Sequence, residues 1–149
     1  MNKVLFSKES DNWKTPPEIY NYYMKNEFFD PCPYMSEFDG LNIEWKDKNF
    51  VNPPYSKIKE FVDKSIKENE RAKDVLLLIP ARTDTKYFKK LIDYGCYIMF
   101  ITGRLKFNDK GSAPFPSCMI RLIGGGEINS ECVWITREEL YENLGDDKE

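Results

Sequence analysis

Apolar residues along this chain fall into two rhythms that alternate. Val75 to Ile79 is an unbroken apolar run closed by Pro80. A segment without a polar face suits a strand covered on both sides, as in a parallel sheet. Cys96 to Thr102 reads the same way. Elsewhere the spacing becomes helical. Ile58, Phe61, Val62 and Ile66 recur at a 3.6-residue period, with Ser56 placed to cap them. Asp84 to Tyr94 predicts a helix ended by Gly95. Upstream, Thr15-Pro16-Pro17-Glu18 reads as a helix start, with Thr15 as N-cap, Pro16 as first helical residue and Glu18 as the return half of a capping box. That helix runs to about Asn26.

Two short strands, Phe28-Phe29 and Phe50-Val51, each lead into a proline-rich loop: Asp30 to Pro33, and Asn52 to Tyr55. Proline restricts itself and its predecessor, so both must be loops. Residues 34 to 48 read as irregular. After Thr102 come a short extended piece, Arg104 to Phe107, and a loop with Gly111, Pro114 and Pro116. Ser117 to Ile123 then reads as a strand, followed by three glycines, Gly124 to Gly126. Cys132 to Ile135 is the last strand, and a short helix starts at Thr136. This order predicts an α/β fold in one small domain spanning residues 1–149, with its core over about 11–136. The sheet is expected to be mostly parallel and finished by antiparallel C-terminal strands. In such sheets ligands bind beyond the carboxyl ends of strands, where both proline-rich loops fall.

Composition narrows the chemistry. With 149 residues and no histidine, the chain has no Ser-His-Asp or Cys-His nucleophile. Its four cysteines form no Cys-x-x-Cys pair, so neither a metal site nor a disulfide framework is expected, and a reducing cytoplasm is the default. No apolar run has the length of a membrane span, and the first residues do not read as a secretory leader. The formal net charge is −3, which does not announce a polyanion binder. Its distribution is uneven. Arg82, Lys86, Lys89, Lys90, Arg104 and Lys106 face only Asp84 and Asp93 between positions 82 and 106, while about 137–149 is an acidic end. The basic stretch fits either a nucleic-acid face or a solvated helix face.

Asn52-Pro53-Pro54-Tyr55 is the most informative element. Two prolines stiffen the loop and remove two backbone donors. The Asn52 side-chain oxygen and the Pro53 carbonyl remain as acceptors, beside the aromatic face of Tyr55. That set suits a planar group bearing an –NH₂: acceptors take its two N–H donors and the ring stacks on its plane. The alternative is a rigid Pro-Pro turn with a packed tyrosine.

Taken with its flanks, this loop resembles the phage-type DNA N-6-adenine methyltransferases (Dam family). The landmarks are Trp13-Lys14-Thr15-Pro16, Asp30-Pro31, Leu41, Trp45, Phe50 to Tyr55, Leu78 to Thr85, Gly103 to Phe107 and Ser112 to Ser117. The similarity spans roughly residues 11 to 123. The resemblance implies a Rossmann-like AdoMet-dependent methyltransferase fold, S-adenosyl-L-methionine (AdoMet) as methyl donor without a metal, and double-stranded DNA as partner. It implies that Asn52, Pro53, Pro54 and Tyr55 hold a flipped adenine. Trp13, Thr15, Pro16, Asp30 and Pro31 would form the cofactor pocket, with Asp30 at the methionine ammonium. Thr15 also reads as a helix cap, Trp13 as a core aromatic and Asp30 as a turn residue.

The Asp30 loop lacks the glycines that usually let a backbone approach this cofactor. Asp39, and after it Glu37, are the acids available for the ribose hydroxyls; both also read as solvated loop acids. Arg82, Thr83, Arg104 and Lys106 are candidates for DNA phosphate contacts, or for surface ion pairs. The residues 112–117 are either a loop over the base or a connection. The resemblance implies action in a bacterial host cytoplasm from a phage or prophage gene. Oligomeric state and target sequence are not legible. Two other readings share the loop: methylation of an RNA adenine or a protein glutamine, and a non-catalytic AdoMet- or DNA-binding module.

Overall fold

The structure, a computed structural model, describes residues 13–107, 111–124 and 129–145. The elements are α1 (Pro17–Lys25), β1 (Lys48–Val51), a 3₁₀ turn (Tyr55–Lys57), α2 (Ile58–Glu70), β2 (Asp74–Pro80), α3 (Lys86–Tyr94), β3 (Cys96–Thr102), β4 (Ser117–Leu122), β5 (Glu131–Thr136) and α4 (Arg137–Gly145). Of the expected features, Gly125, Gly126 and the last acidic residues, 146–149, lie outside the described residues.

The strands form one sheet in the order β1-β2-β4-β3-β5. β1 and β2 pair parallel, as do β3 and β5, whereas β4 pairs antiparallel with both β2 and β3. Four strands therefore point one way, and the α/β, mostly parallel expectation holds. The antiparallel finish applies to β4 alone. β4 is flanked on both sides, so the chain cannot form a hairpin against it; β5 crosses to the free side of β3 and runs parallel there. Phe29 extends the other edge through an isolated parallel bridge to Asn49, its N–H on the Lys48 carbonyl at 2.8 Å and its carbonyl on Phe50 N–H at 2.8 Å. Arg104 to Phe107 makes only one bridge, Lys106 to Ser112, rather than a strand.

The apolar run of β2 serves two cores. Val75, Leu77 and Ile79 pack with Phe61, Val62, Phe88 and Leu91 from α2 and α3. Leu78 packs on the opposite face with Ile19 of α1, Leu140 of α4, and Phe107 and Phe115 from the loop before β4. Helices thus cover both faces, which is why the strand has no polar side.

Helix starts differ from expectation at α1 and α2, and α3 begins at Lys86, two residues after the expected Asp84. α1 takes Pro16, not Thr15, as N-cap, with no side-chain cap bond. α2 begins at Ile58 after the 3₁₀ turn, and Lys57 holds its cap position instead of Ser56. Consecutive prolines before each helix fix an extended entry (ψ 136 at Pro16, 144 at Pro54), which moves each boundary downstream. Thr85 caps α3 by accepting from Phe88 N–H, and Gly95 ends it at φ 110.

This topology gathers the candidate residues on one edge. The carboxyl ends of β1, β2, β3 and β5 and the amino end of β4 share it. Asp30, Asn52, Arg82, Ser117, Arg104 and Arg137 all follow or begin strands there.

Candidate active site

The chain leaves the Phe29 bridge into Asp30 and leaves β1 into Asn52, so these two polar side chains emerge from neighbouring strands. The Cys32 thiol donates to the Asn52 carbonyl at 3.4 Å and ties the two loops together. A cavity of about 460 Å³ opens in front of them, lined by residues that include Trp13, Thr15, Asp30, Cys32, Asn52 and Pro54. The Asn52 amide is therefore not sealed inside the core.

Its orientation is fixed. Asn52 Nδ2 donates to the Trp13 carbonyl and to Thr15 Oγ1, the latter at 3.0 Å. A carbonyl only accepts, so the nitrogen end must face Trp13. Both amide protons are then used, and the Oδ1 acceptor is the end left for a ligand. Thr15 is buried, and its hydroxyl serves Asn52 rather than the start of α1.

Asp30 occupies the other side of the cavity. One carboxylate oxygen accepts from the Cys32 N–H at 3.0 Å. Burial raises its pKa from the ordinary carboxylate range to about 6; the Cys32 N–H pulls it down but does not win. A carboxylate kept from water in a cavity is suited to receive a cation.

Tyr55 stands elsewhere than expected. Its ring lies in an aromatic nest, 5.6 Å from Trp13 and 5.0 Å from Phe115 between centroids, and does not line the cavity. Phe107 closes the nest at 5.9 Å from Trp13. The Tyr55 hydroxyl and the Trp13 indole N–H are buried without a hydrogen-bond partner among the described residues. Burial pushes the Tyr55 hydroxyl far up, partly offset by the Arg82 charge.

The remaining candidates divide. Pro53 and Pro16 are buried and line neither cavity. Pro31, Glu37 and Asp39 line a second cavity of about 300 Å³, which shares Cys32, Pro33 and Pro54 with the first. Asp39 spends its carboxylate on its own turn, accepting from Leu41 N–H at 3.0 Å and from the Asn42 amide. Arg82, Thr83, Arg104 and Lys106 are exposed on the same sheet edge and line neither cavity.

Several residues escaped the sequence reading. Pro17, Tyr20 and Asn21 line the first cavity from one face of α1, a set that i, i+3, i+4 spacing from Pro17 could have disclosed. Gly40 permits a different close approach, that of its own backbone to the Asp30 loop: a Cβ there would sit 1.8 Å from the Pro31 carbonyl. Trp45 anchors Gly40 by donating its indole N–H to the Gly40 carbonyl at 2.7 Å. No local signal connects positions 31, 40 and 45. Among the described residues no cluster of three or more His, Cys, Asp or Glu could hold a metal, and no helix is long and apolar enough to cross a membrane.

Residues 3–117 match the family model described as DNA N-6-adenine-methyltransferase (Dam). A curated relative, the DNA N-6-adenine-methyltransferase of Escherichia phage T1, is 28% identical over 150 aligned positions covering 86% of this chain. The chain spans 63% of that relative's length. Among solved structures, protein Atu636 from Agrobacterium tumefaciens, described as a predicted O-methyltransferase, matches over 72% of this chain and 54% of its own. The TM-score is 0.44 and the identity 14%.

Proposed function

Because the chain belongs to the DNA N-6-adenine-methyltransferase (Dam) family, we propose that it moves a methyl group from AdoMet to the exocyclic amine of an adenine flipped out of double-stranded DNA. One observation carries this reading. Asn52 is held so that its acceptor, not its donors, is offered at a cavity that is also lined by the half-buried Asp30 carboxylate.

The residues fit the methyl donor. Asp30 receives its ammonium, and the charge pairing relieves the strain that burial places on the carboxylate. Tyr20 and Tyr34 give the first cavity aromatic walls, and Glu37 and Asp39 place acids at the second. Cys32, Pro33 and Pro54, the wall that the two cavities share, would hold its nucleoside part. When bound, AdoMet supplies an electrophilic methyl group on a positively charged sulfur.

The adenine amine is a weak nucleophile because its lone pair is delocalised into the ring. Asn52 Oδ1 accepts from one of its N–H groups and turns the nitrogen so that the lone pair points at the methyl carbon. As the N–C bond forms, the C–S electron pair stays with sulfur and positive charge grows on nitrogen. The fixed Asn52 acceptor stabilises that charge without reorganising. The extra proton then leaves to water. Tyr55 presents the stacking plane once the base displaces its contact with Trp13. Arg82, Thr83, Arg104 and Lys106 hold phosphates along the sheet edge.

The test is incubation of the protein and AdoMet with unmethylated DNA, with RNA and with protein in parallel, followed by mass spectrometry of the nucleosides and peptides. N6-methyladenine from DNA is expected. Label in RNA or glutamine alone would replace the substrate, and AdoMet binding without turnover would leave a binding module.

A further inference from the structure

The orientation of the Asn52 amide needs a physical cause. Its amide has two ends of almost equal size, and only the oxygen can accept from an amine. We propose that Thr15 is a positioning residue whose hydroxyl holds the Asn52 amide with its oxygen toward the cavity. The proposal rests on the role given to Asn52 above.

The grip has two parts. The Trp13 carbonyl takes one Nδ2 proton and so decides which end faces inward. Thr15 Oγ1 takes the other at 3.0 Å and fixes the rotation of the amide plane. With one bond alone the amide could pivot about it, and Oδ1 would sweep across the cavity mouth. Thr15 is 9% exposed, so water competes poorly for either partner.

The local chain keeps Thr15 available for this work. Its hydroxyl would ordinarily cap the helix that follows. Here Pro16 holds the N-cap position, and the Ile19 and Tyr20 amides bond to the Pro16 carbonyl at 3.0 Å each. The tandem prolines shift the helix by one residue and leave the threonine facing β1. Thr15 thereby joins the start of α1 to the end of β1 across 37 positions of sequence.

Two substitutions test this. Thr15→Val keeps the shape and removes the acceptor, while Thr15→Ser keeps the acceptor. With DNA and AdoMet saturating, Thr15→Val is expected to lower kcat on the order of 10²-fold, and Thr15→Ser to restore most of it. Calorimetric AdoMet affinity is measured alongside. A loss confined to affinity, absent at saturation, would make Thr15 a cofactor ligand only and overturn the proposal. So would a lower melting temperature with kcat intact.

A second readout needs no activity. The Asn52 side-chain amide protons, assigned by their disappearance in Asn52→Asp, are expected to be protected from water exchange in the wild type and in Thr15→Ser. They should be exposed in Thr15→Val, with Thr15→Ala taking its place if that variant does not fold. Equal protection in all forms, or none in the wild type, overturns the grip. A wild type inert on DNA but with this protection pattern would sink the substrate assignment and leave the grip standing.

Discussion

Two acids, Glu68 buried and Asp30 half-buried, sit at opposite ends of the sheet, and they behave in opposite ways. At the amino edge, Glu68 near the end of α2 has a side chain 2% exposed, paired with Lys64 and Lys73 at 2.8 Å each. Those partners hold its pKa below the usual carboxylate range despite burial. At the carboxyl edge, Asp30 has a backbone amide from its own loop, and burial lifts it to about 6. One acid is satisfied by side-chain partners within the fold; the other has a single backbone N–H and faces a cavity. A carboxylate that the protein has not neutralised, facing a cavity, marks a site more sharply than burial does.

The largest expected effect falls on neither acid but on the group beside Asp30. Asn52→Ala should lower methylation by at least about 10²-fold in kcat, since a preorganised acceptor is lost, and lower the melting temperature by a few degrees, since the Trp13 carbonyl and Thr15 hydroxyl lose their donor. A single-turnover assay on unmethylated DNA measures it. An active Asn52→Ala would remove the amide from the chemistry.

Asp30→Asn comes next and separates the two edges. AdoMet affinity, read by calorimetry, should fall on the order of tenfold or more. It should also lose its pH dependence. In the wild type a ligand ammonium needs the ionised carboxylate, so binding weakens as pH drops below about 6. The stability effect has the opposite sign. A folded-state pKa raised above the unfolded value means that ionised Asp30 costs stability above about pH 6, and that this cost disappears as pH falls below the unfolded value near 3.8. Asp30→Asn without ligand should therefore melt a few degrees higher at neutral pH. A variant that melts lower would show Asp30 already paired.

Glu68→Gln should do the reverse. It is expected to destabilise by about 2 kcal/mol, modest for a buried pair because Lys73 keeps Glu44 and the Trp45 carbonyl as partners, and to leave AdoMet affinity alone. Its lowered pKa makes the wild-type pair stabilising above the unfolded value and lost as pH falls through the folded one. A urea melt at pH 7 and pH 3 reads both; equal losses at the two pH values would contradict the pairing.

The smallest effects lie on the basic rim. Arg82→Ala and Arg104→Ala should each weaken DNA binding modestly and make the log-affinity against log-salt slope shallower by about 1. An unchanged slope would place that arginine off the phosphates.

Sequence by itself determined whatever is decided within a few residues. The apolar β2 run required a strand covered on both faces. Gly95 ended α3, and the prolines after Asn52 fixed a loop poor in donors at a strand's carboxyl end. Tertiary structure decided everything that depends on a distant partner. Thr15 turned from its own helix to Asn52, Gly40 closed on Pro31, Tyr55 buried its ring against Trp13 and Phe115, and β5 ran parallel because the positions beside β4 were taken. Propensity and spacing act through neighbours in the chain, whereas a hydrogen-bond acceptor or a ring face goes to the group that the folded chain brings nearest. For Asn52 that group is 37 residues away.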